Sequence, residues 1–128
     1  MMTVKTKTGP STIHGTGLFA DEFISKGTLV WKFSPEVDRE WTKEEAEQLP
    51  EPLRSEILSL SHAFISSYSG KYISEGDDAK YANHSSDPNT IDDPHSKEEV
   101  CIAARDIARG EEITFDYRTF DEPFDERF

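Results

Sequence analysis

The sequence predicts one mainly β domain with a helical insert, an α+β fold that covers residues 1–128. Short segments with alternating or β-branched and aromatic residues occur in both halves of the chain, as in half-buried strands. Helix signals are confined to the middle, over about residues 42–68. The length of 128 residues is common for a single domain. Residues 118–128 are predicted to form a closing tail.

Strands are predicted throughout the first third of the chain. "VKTKT" (Val4–Thr8) alternates in the manner of a strand. "TGPSTIHGTGLFA" (Thr8–Ala20) is rich in turn residues and ends in a short apolar run, which predicts a loop that leads into a strand. "KGTLVWKF" (Lys26–Phe33) predicts a turn followed by another strand.

The helical insert is predicted from two adjacent signals. Thr42 followed by Glu45 forms a capping-box pattern, so "TKEEAEQL" should be a short helix that ends before Pro50. From Pro52 onward, apolar residues recur every three or four positions, which predicts a second helix extending to Tyr68. These apolar positions are Leu53, Ile57, Leu60, Phe64 and Tyr68.

The second half of the chain combines an irregular segment with further strands. About twenty-five residues after Gly70 lack a regular pattern apart from a short strand at "KYI", and long irregular segments in compact domains are usually functional. "EEVCIAARDI" (Glu98–Ile107) alternates as a strand does, and "ARGEEITFDY" predicts a Gly turn and a strand that ends at Tyr117.

Composition narrows the class of protein and its partners. The net charge of −12 disfavours direct binding to nucleic acid and favours a basic partner. One cysteine excludes an internal disulfide. There is no cationic and apolar leader and no apolar run of membrane-spanning length, so we expect a soluble intracellular protein without membrane contact.

The row "KYANHSSDPNT" (Lys80–Thr90) is the most concentrated polar segment. Asn, Ser and Asp side chains bond to nearby backbone groups, and Pro88 disfavours helix at the preceding residue. By itself the row is compatible with a polar surface loop. Loops also carry binding and catalytic residues more often than the elements they connect.

Four motifs in chain order give the row a more specific interpretation. They are "GTGLFA" (Gly15–Ala20), "KGTLV" (Lys26–Val30), "YANHSSDPNT" (Tyr81–Thr90) and "GEEITFDY" (Gly110–Tyr117). In this order they resemble the SET-domain family of protein lysine methyltransferases, from about Ser11 to Tyr117. The resemblance implies several short-stranded sheets, a helical insert between the halves, and a C-terminal pseudoknot-like crossing of the Asn-His loop with the Asp-Tyr segment.

The resemblance also implies a cofactor, S-adenosylmethionine, and the residues that hold it. Asn83 and His84 would bind the cofactor, and the backbone from Gly15 through Thr16 and Gly17 to Leu18 would receive its amino-acid end. Tyr81 would pack around it. Phe120 and Phe124 in the tail are candidates to close the site, with packing in the core as the alternative. Tyr117, which also borders the cofactor, would be the main catalytic residue, with Tyr72 and Tyr68 as candidates for a second aromatic wall of the lysine channel. No metal is implied.

The sequence departs from the family pattern at several positions. Ser86 stands where the family often has Cys, and Ala82 where an apolar residue commonly precedes the Asn-His pair. Cys101 is the one cysteine, so the cysteine-rich zinc cluster found after the Asp-Tyr pair in many members is absent. We therefore expect a small stand-alone member whose tail closes the site by aromatic packing or through a homodimer.

The expected activity is protein-lysine N-methylation of a basic protein with an accessible lysine, such as a histone, a histone-like protein or a ribosomal protein. Such an enzyme would be cytoplasmic in a bacterium and nuclear if it acts on host chromatin. An acidic surface suits a basic substrate, because opposite charges attract.

Three other interpretations are compatible with parts of the sequence. A metal-dependent hydrolase could use His84, Asp92, Asp93 and His95, although their spacing matches no common zinc pattern. A nucleophilic enzyme could use Cys101, although its position in an alternating strand predicts burial. A catalytically weak SET-like module could bind a lysine-rich tail without turnover, although the presence of Tyr117, Asn83 and His84 argues against it.

Overall fold

The computed structural model describes residues 1–60, 63–66 and 69–116. Within these ranges the chain forms short strands, two short α-helices and a 3₁₀ helix. In chain order the elements are β1 (Thr6–Pro10), β2 (Thr16–Ala20), β3 (Leu29–Lys32), β4 (Arg39–Trp41), α1 (Lys43–Glu47), α2 (Leu53–Leu58), β5 (Phe64–Ile65), β6 (Tyr72–Ser74), the 3₁₀ helix (Asp78–Tyr81), β7 (Asn83–His84), β8 (Thr90–Asp92), β9 (Val100–Ala103) and β10 (Thr114–Phe115).

The described strands assemble into four small sheets, in agreement with the several short-stranded sheets that the resemblance implies. β1 and β2 form an antiparallel hairpin. Two antiparallel three-stranded sheets have the orders β3-β9-β8 and β4-β6-β5. β7 and β10, distant in sequence, form a parallel pair. This arrangement confirms the α+β class with several short-stranded sheets.

One hydrophobic core joins the sheets, and a smaller cluster lies under the helices. Leu18, Ile73 and Ile113 are fully buried in the main core. The ring of Trp31 on β3 meets that of Phe64 on β5 edge to face, with centroids 6.0 Å apart, so the two three-stranded sheets touch through these rings. In the described part of the chain, no helix has the length and apolar character needed to cross a membrane.

The helical insert confirms one prediction and corrects another. Thr42 Oγ1 accepts from the Glu45 backbone N–H at 3.1 Å, and Glu45 Oε1 accepts from the Thr42 N–H at 2.8 Å, which is the predicted capping box. The second helix, predicted to reach Tyr68, ends at Leu58. Leu60 has a φ of 61°, which a helix does not tolerate, and the chain then pairs Phe64 and Ile65 with β6 as a strand.

Cys101 lies on the core face of β9, as predicted from its position in the strand. It is only 5% exposed, and its cross-strand neighbours are Trp31 and Asp92. Burial, with the nearby charge of Asp92, raises the pKa of the thiol well above its ordinary value. The residue is therefore an uncharged core thiol, and the interpretation of Cys101 as a nucleophile is not supported.

Two partly buried carboxyl groups lie near this thiol. Glu99 accepts a hydrogen bond from Ser66 Oγ at 2.6 Å, and Asp92 accepts one from Cys101 Sγ at 3.4 Å. Burial raises the pKa of each carboxyl, and the charges of Asp92 and Glu40 raise that of Glu99 further. Both groups therefore bind a proton more tightly in the folded protein than in the unfolded chain.

A pH-dependent gain in stability is expected when Glu99 is replaced by glutamine. The free energy of unfolding contributed by Glu99 falls as the pH rises from the ordinary glutamate value through the raised pKa, because the folded state holds more protons in that window. Glutamine keeps an acceptor for Ser66 and does not ionise. Urea denaturation of Glu99→Gln and the wild type, at about pH 4 and about pH 7, should show the variant gaining stability relative to the wild type as the pH rises.

The neighbouring exposed residue supplies the matched control. Glu98→Gln makes the same chemical change at an exposed side chain, and its stability relative to the wild type should stay nearly constant between the two pH values. Equal pH trends for Glu98→Gln and Glu99→Gln would contradict the assignment of the effect to burial.

Candidate functional site

The loop that joins β1 and β2 forms one side of the site. Its backbone is closed by a hydrogen bond from Ser11 N–H to the carbonyl oxygen of Gly15, 2.8 Å long. Ser11 Oγ accepts from the backbone N–H of Ile13 at 2.9 Å. Gly15 has a φ of +46°, in the left-handed region that favours glycine. Gly15 and Thr16, where the loop meets β2, are exposed.

The Asn-His part of the polar row lies against the segment that ends at Asp116, as the resemblance implies. β7 and β10 are parallel, with Asn83 opposite Thr114 and His84 opposite Phe115. The backbone N–H of Ser85 continues the contact by donating to the carbonyl oxygen of Phe115 at 2.9 Å. Two short segments from different parts of the chain therefore form one wall.

Asn89 holds the end of the polar row in the protein interior. The residue is 2% exposed, and its side chain makes its hydrogen bonds to residues 111, 112 and 114. Nδ2 donates to the carbonyl oxygen of Glu112 at 2.8 Å and to Glu111 Oε2 at 3.0 Å, while Oδ1 accepts from the Thr114 N–H at 2.9 Å. Asn89 is therefore a structural residue that fixes the end of the row to residues 111–114, the segment that leads into β10.

Asn83 joins the loop to the wall through its side-chain amide. Nδ2 lies 3.0 Å from the carbonyl oxygen of His14, 3.1 Å from Ser11 Oγ and 3.0 Å from Glu112 Oε2. Ser11 Oγ in turn donates to the Glu112 carboxylate, at 2.8 and 2.9 Å from its two oxygens. Oδ1 of Asn83 has no hydrogen-bond partner among the described residues, so it remains available as an acceptor.

Gly17 and Leu18 on β2 border this network, and neither has free space around its Cβ position. A Cβ on Gly17 would lie 2.6 Å from Glu112 Oε2 and 2.9 Å from Ser11 Cβ, so glycine makes room for these side chains. The Leu18 side chain is fully buried, and its carbonyl oxygen accepts from the Ile113 N–H at 2.7 Å. The space in which a Gly17 side chain would lie is therefore filled by Glu112 and Ser11, and the role of the Gly15–Leu18 backbone in holding a cofactor stays a prediction.

His84 lies on the same wall beside an acidic partner. Its Nδ1 is 3.7 Å from Asp116 Oδ1, and both side chains are largely shielded from solvent. Asp116 follows β10 directly, so it reaches His84 because β7 and β10 run parallel. The pair is an ion pair when the imidazole is protonated.

The predicted aromatic residues are distributed over several parts of the chain. Tyr81 is 39% exposed at the end of the 3₁₀ helix, with the Lys80 ammonium 5.4 Å from its ring centroid. Tyr72 is opposite Trp41 on β4. It packs on the small hydrophobic cluster under the helices, here called the insert cluster, whose buried members are Ala46, Ile57 and Ala63. Four further predicted residues lie outside the described residues: Tyr68, Tyr117, Phe120 and Phe124.

Ser11 and Glu112 are the site residues that sequence reasoning missed. They are 101 positions apart, and each by itself resembles an ordinary loop serine or strand-flanking glutamate. Gly17 carried an indirect signal, because a glycine in a strand often marks the close approach of another group. That signal does not indicate which group approaches.

The described residues do not support the metal-site interpretation. They contain no group of three or more His, Cys, Asp or Glu side chains placed to hold a metal ion. Of the four residues considered as ligands, His84 lies beside Asp116, and Asp92 accepts from Cys101. The described part of the chain thus offers no basis for metal-dependent hydrolysis.

Comparison with protein families and curated sequences identifies relatives over most of the chain. A model of the SET domain matches residues 15–118. The H3 lysine-4 specific histone-lysine N-methyltransferase of Schizosaccharomyces pombe is 34% identical over 117 residues, which are 86% of this chain and 12% of that protein. The histone-lysine N-methyltransferase set1 of Dictyostelium discoideum is 33% identical over 116 residues, 84% of this chain and 8% of that protein.

Solved structures give the same fold. ctPRC2, the Polycomb Repressive Complex 2 of Chaetomium thermophilum, in an autoinhibited conformation bound to S-adenosylmethionine, matches with a TM-score of 0.66 and 25% identity, over 89% of this chain and 15% of that chain. The Neurospora SET domain protein DIM-5, a histone lysine methyltransferase, matches with a TM-score of 0.58 and 22% identity, over 91% of this chain and 53% of that chain. The likeness to DIM-5 concerns the fold alone.

Proposed function

The chain belongs to the SET domain family, and on that premise we propose that it is a protein-lysine N-methyltransferase with S-adenosylmethionine as cofactor and a basic protein as substrate. One observation carries the proposal. The Asn83 amide bridges the exposed β1-β2 loop and the β7-β10 wall, and it leaves its carbonyl oxygen without a partner among the described residues. The chain spans 12% and 8% of the length of the two curated relatives named above.

The residues around Asn83 suit the amino-acid end of this cofactor. Asn83 Oδ1 can accept from an ammonium group, and the exposed backbone of Gly15 and Thr16 offers further polar groups to a carboxylate or ammonium. When bound, S-adenosylmethionine supplies a methyl group on a positively charged sulfur. We expect His84 to contribute to the same wall from the next position on β7.

The contribution of the protein to methyl transfer would consist mainly of alignment and exclusion of water. The substrate lysine must be neutral to act as a nucleophile, and an apolar channel lowers the pKa of an amine by desolvation. Tyr117 is the residue after Asp116, the partner of His84. It is proposed to hold the amine through its hydroxyl and the lysine stem through its ring. Alignment of two reacting groups can contribute several kcal/mol to catalysis.

The proposed substrate class follows from charge. At a net charge of −12, the protein attracts a lysine-rich or arginine-rich segment and repels phosphate. The relatives named above are histone-lysine methyltransferases, and histones are basic proteins. A histone or another basic chromosomal or ribosomal protein is therefore the proposed target.

Binding of the cofactor is the first expected result. Calorimetry should detect one S-adenosylmethionine site per chain. Asn83→Ala removes the proposed acceptor and is expected to weaken binding by roughly 1–3 kcal/mol, the usual range for a lost buried polar contact. Asp87→Ala, a change at a 95% exposed side chain of the same polar row, should leave the affinity unchanged.

Transfer of a tritiated methyl group into core histones tests the activity itself. We expect labelled lysine, with labelling that decreases as salt is raised because salt screens the attraction of the acidic surface for a basic substrate. Cofactor binding without methyl transfer to histones or to a cell lysate would favour the binding-module alternative. Absence of cofactor binding would refute the methyltransferase proposal.

A further inference from the structure

We propose that Glu112 is a positioning residue for the cofactor: its carboxylate, held by Ser11, fixes the side-chain amide of Asn83 in the orientation that offers Oδ1 to the ligand. The inference rests on the proposed function and adds a residue that does not itself touch the cofactor. It concerns the affinity for S-adenosylmethionine rather than the chemical step.

The hydrogen-bond partners of Asn83 determine which way its amide is turned. All three groups within 3.1 Å of Nδ2 are acceptors toward it: the His14 carbonyl oxygen, the Ser11 hydroxyl and the Glu112 carboxylate. A flipped amide would bring its carbonyl oxygen against a carboxylate and a carbonyl, with no donor but the hydroxyl. The negative charge of Glu112 makes the flipped state especially unfavourable. Hydrogen bonds to charged groups are the stronger ones, and the flipped amide loses its bond to the carboxylate.

Glu112 is itself held firmly by its backbone and by its side chain. Its carbonyl oxygen accepts from Asn89 Nδ2 at 2.8 Å, and it forms a bridge with Phe19 on β2. The carboxylate accepts a hydrogen bond from Ser11 Oγ. It also lies against Gly17, where a Cβ would be 2.6 Å from Oε2. The carboxylate therefore has a defined position from which it can orient Asn83.

Removing the charge of Glu112 should therefore release the amide. In Glu112→Gln, the new NH₂ group competes with the Asn83 NH₂ for the same acceptors, and both amides can turn. Part of the Asn83 population then presents a donor to the cofactor instead of an acceptor. We expect the Kd and KM for S-adenosylmethionine to rise about tenfold, while kcat at saturating cofactor and the KM for the protein substrate stay near the wild-type values.

A double-mutant cycle distinguishes positioning from general loss of structure. In an Asn83→Ala background there is no amide to orient, so Glu112→Gln should have almost no further effect on cofactor affinity. Ser11→Ala removes the hydroxyl that holds the carboxylate and should weaken cofactor binding in the same direction, which gives a second route if Glu112→Gln folds poorly. Glu47→Gln is the matched control, because it makes the same chemical change at an exposed side chain on α1.

Calorimetry with S-adenosylmethionine on the full chain, with thermal melting of each variant, gives a clear decision. A tenfold loss in Glu112→Gln that disappears in the Asn83→Ala background supports the proposal. A wild type that binds, with unchanged affinity in Glu112→Gln or in Ser11→Ala, overturns the positioning role alone. The same loss with and without Asn83 overturns it as well, because the effect then does not pass through the amide. A wild type that does not bind overturns the proposed function together with this inference.

Discussion

Replacing Asn89 with alanine is expected to lower the free energy of unfolding by about 3 kcal/mol. The change removes two donated hydrogen bonds and the acceptor of the Thr114 N–H, all of them at a side chain that is 2% exposed. Each hydrogen bond contributes about 1 kcal/mol, and a buried N–H left without a partner adds a desolvation penalty. Urea denaturation, followed by the fluorescence of the two tryptophans, measures the difference.

A control in the same loop tests whether burial is the cause. The Asp87 side chain is 95% exposed and lies 3.7 Å from Arg105, so Asp87→Ala should change the stability by less than about 0.5 kcal/mol. A loss in Asn89→Ala no larger than that in Asp87→Ala would show that the polar row is not fixed by Asn89. Its function would then have to be explained without a rigid wall.

Local sequence signals predicted those elements that depend on neighbouring residues. The Thr42 and Glu45 pair predicted the start of α1, because a capping box is closed within four residues. The turn and strand predicted from "KGTLVWKF" also depend on neighbouring residues, and β3 forms at Leu29–Lys32. At these places the sequence contains both partners of the decisive interaction.

The error in the second helix has a different origin. Leu53 and Ile57 have helical spacing and lie in α2. The same spacing continues to Phe64, where the chain is a strand. β5 exists because Phe64 lies opposite Ile73 on β6 and meets Trp31 in the core. Periodicity alone could not predict this, since the partners of Phe64 lie in other parts of the chain.

The candidate site shows the same division between local and distant information. The motifs that carry the family resemblance identify Asn83, His84 and the glycine loop. The Ser11–Glu112 contact links residues 101 positions apart, and only the folded chain reveals it. At Gly17, Glu112 occupies the space in which a side chain would lie, a contact that the glycine pattern alone does not identify.

A loss of at least tenfold in methyl transfer is expected for Tyr117→Phe, equivalent to about 1.4 kcal/mol of transition-state stabilisation. Tyr117 is proposed to orient the amine through its hydroxyl mainly in the transition state, so the hydroxyl should affect turnover more than ground-state binding. Phenylalanine keeps the ring and its packing. Affinity for S-adenosylmethionine and the melting temperature should therefore remain close to the wild-type values.

The measurement separates an enzyme from a binding module and tests the aromatic candidates against each other. Core histones and a bacterial histone-like protein are incubated with cofactor and each variant, and added methyl groups are counted by mass spectrometry. Tyr68→Phe and Tyr72→Phe are compared in the same assay. Tyr72 packs on the insert cluster, so its variant should lose less activity than Tyr117→Phe. Equal activity in the wild type and Tyr117→Phe would remove Tyr117 from the catalytic centre, and a larger loss in Tyr68→Phe or Tyr72→Phe would transfer that role to the residue concerned.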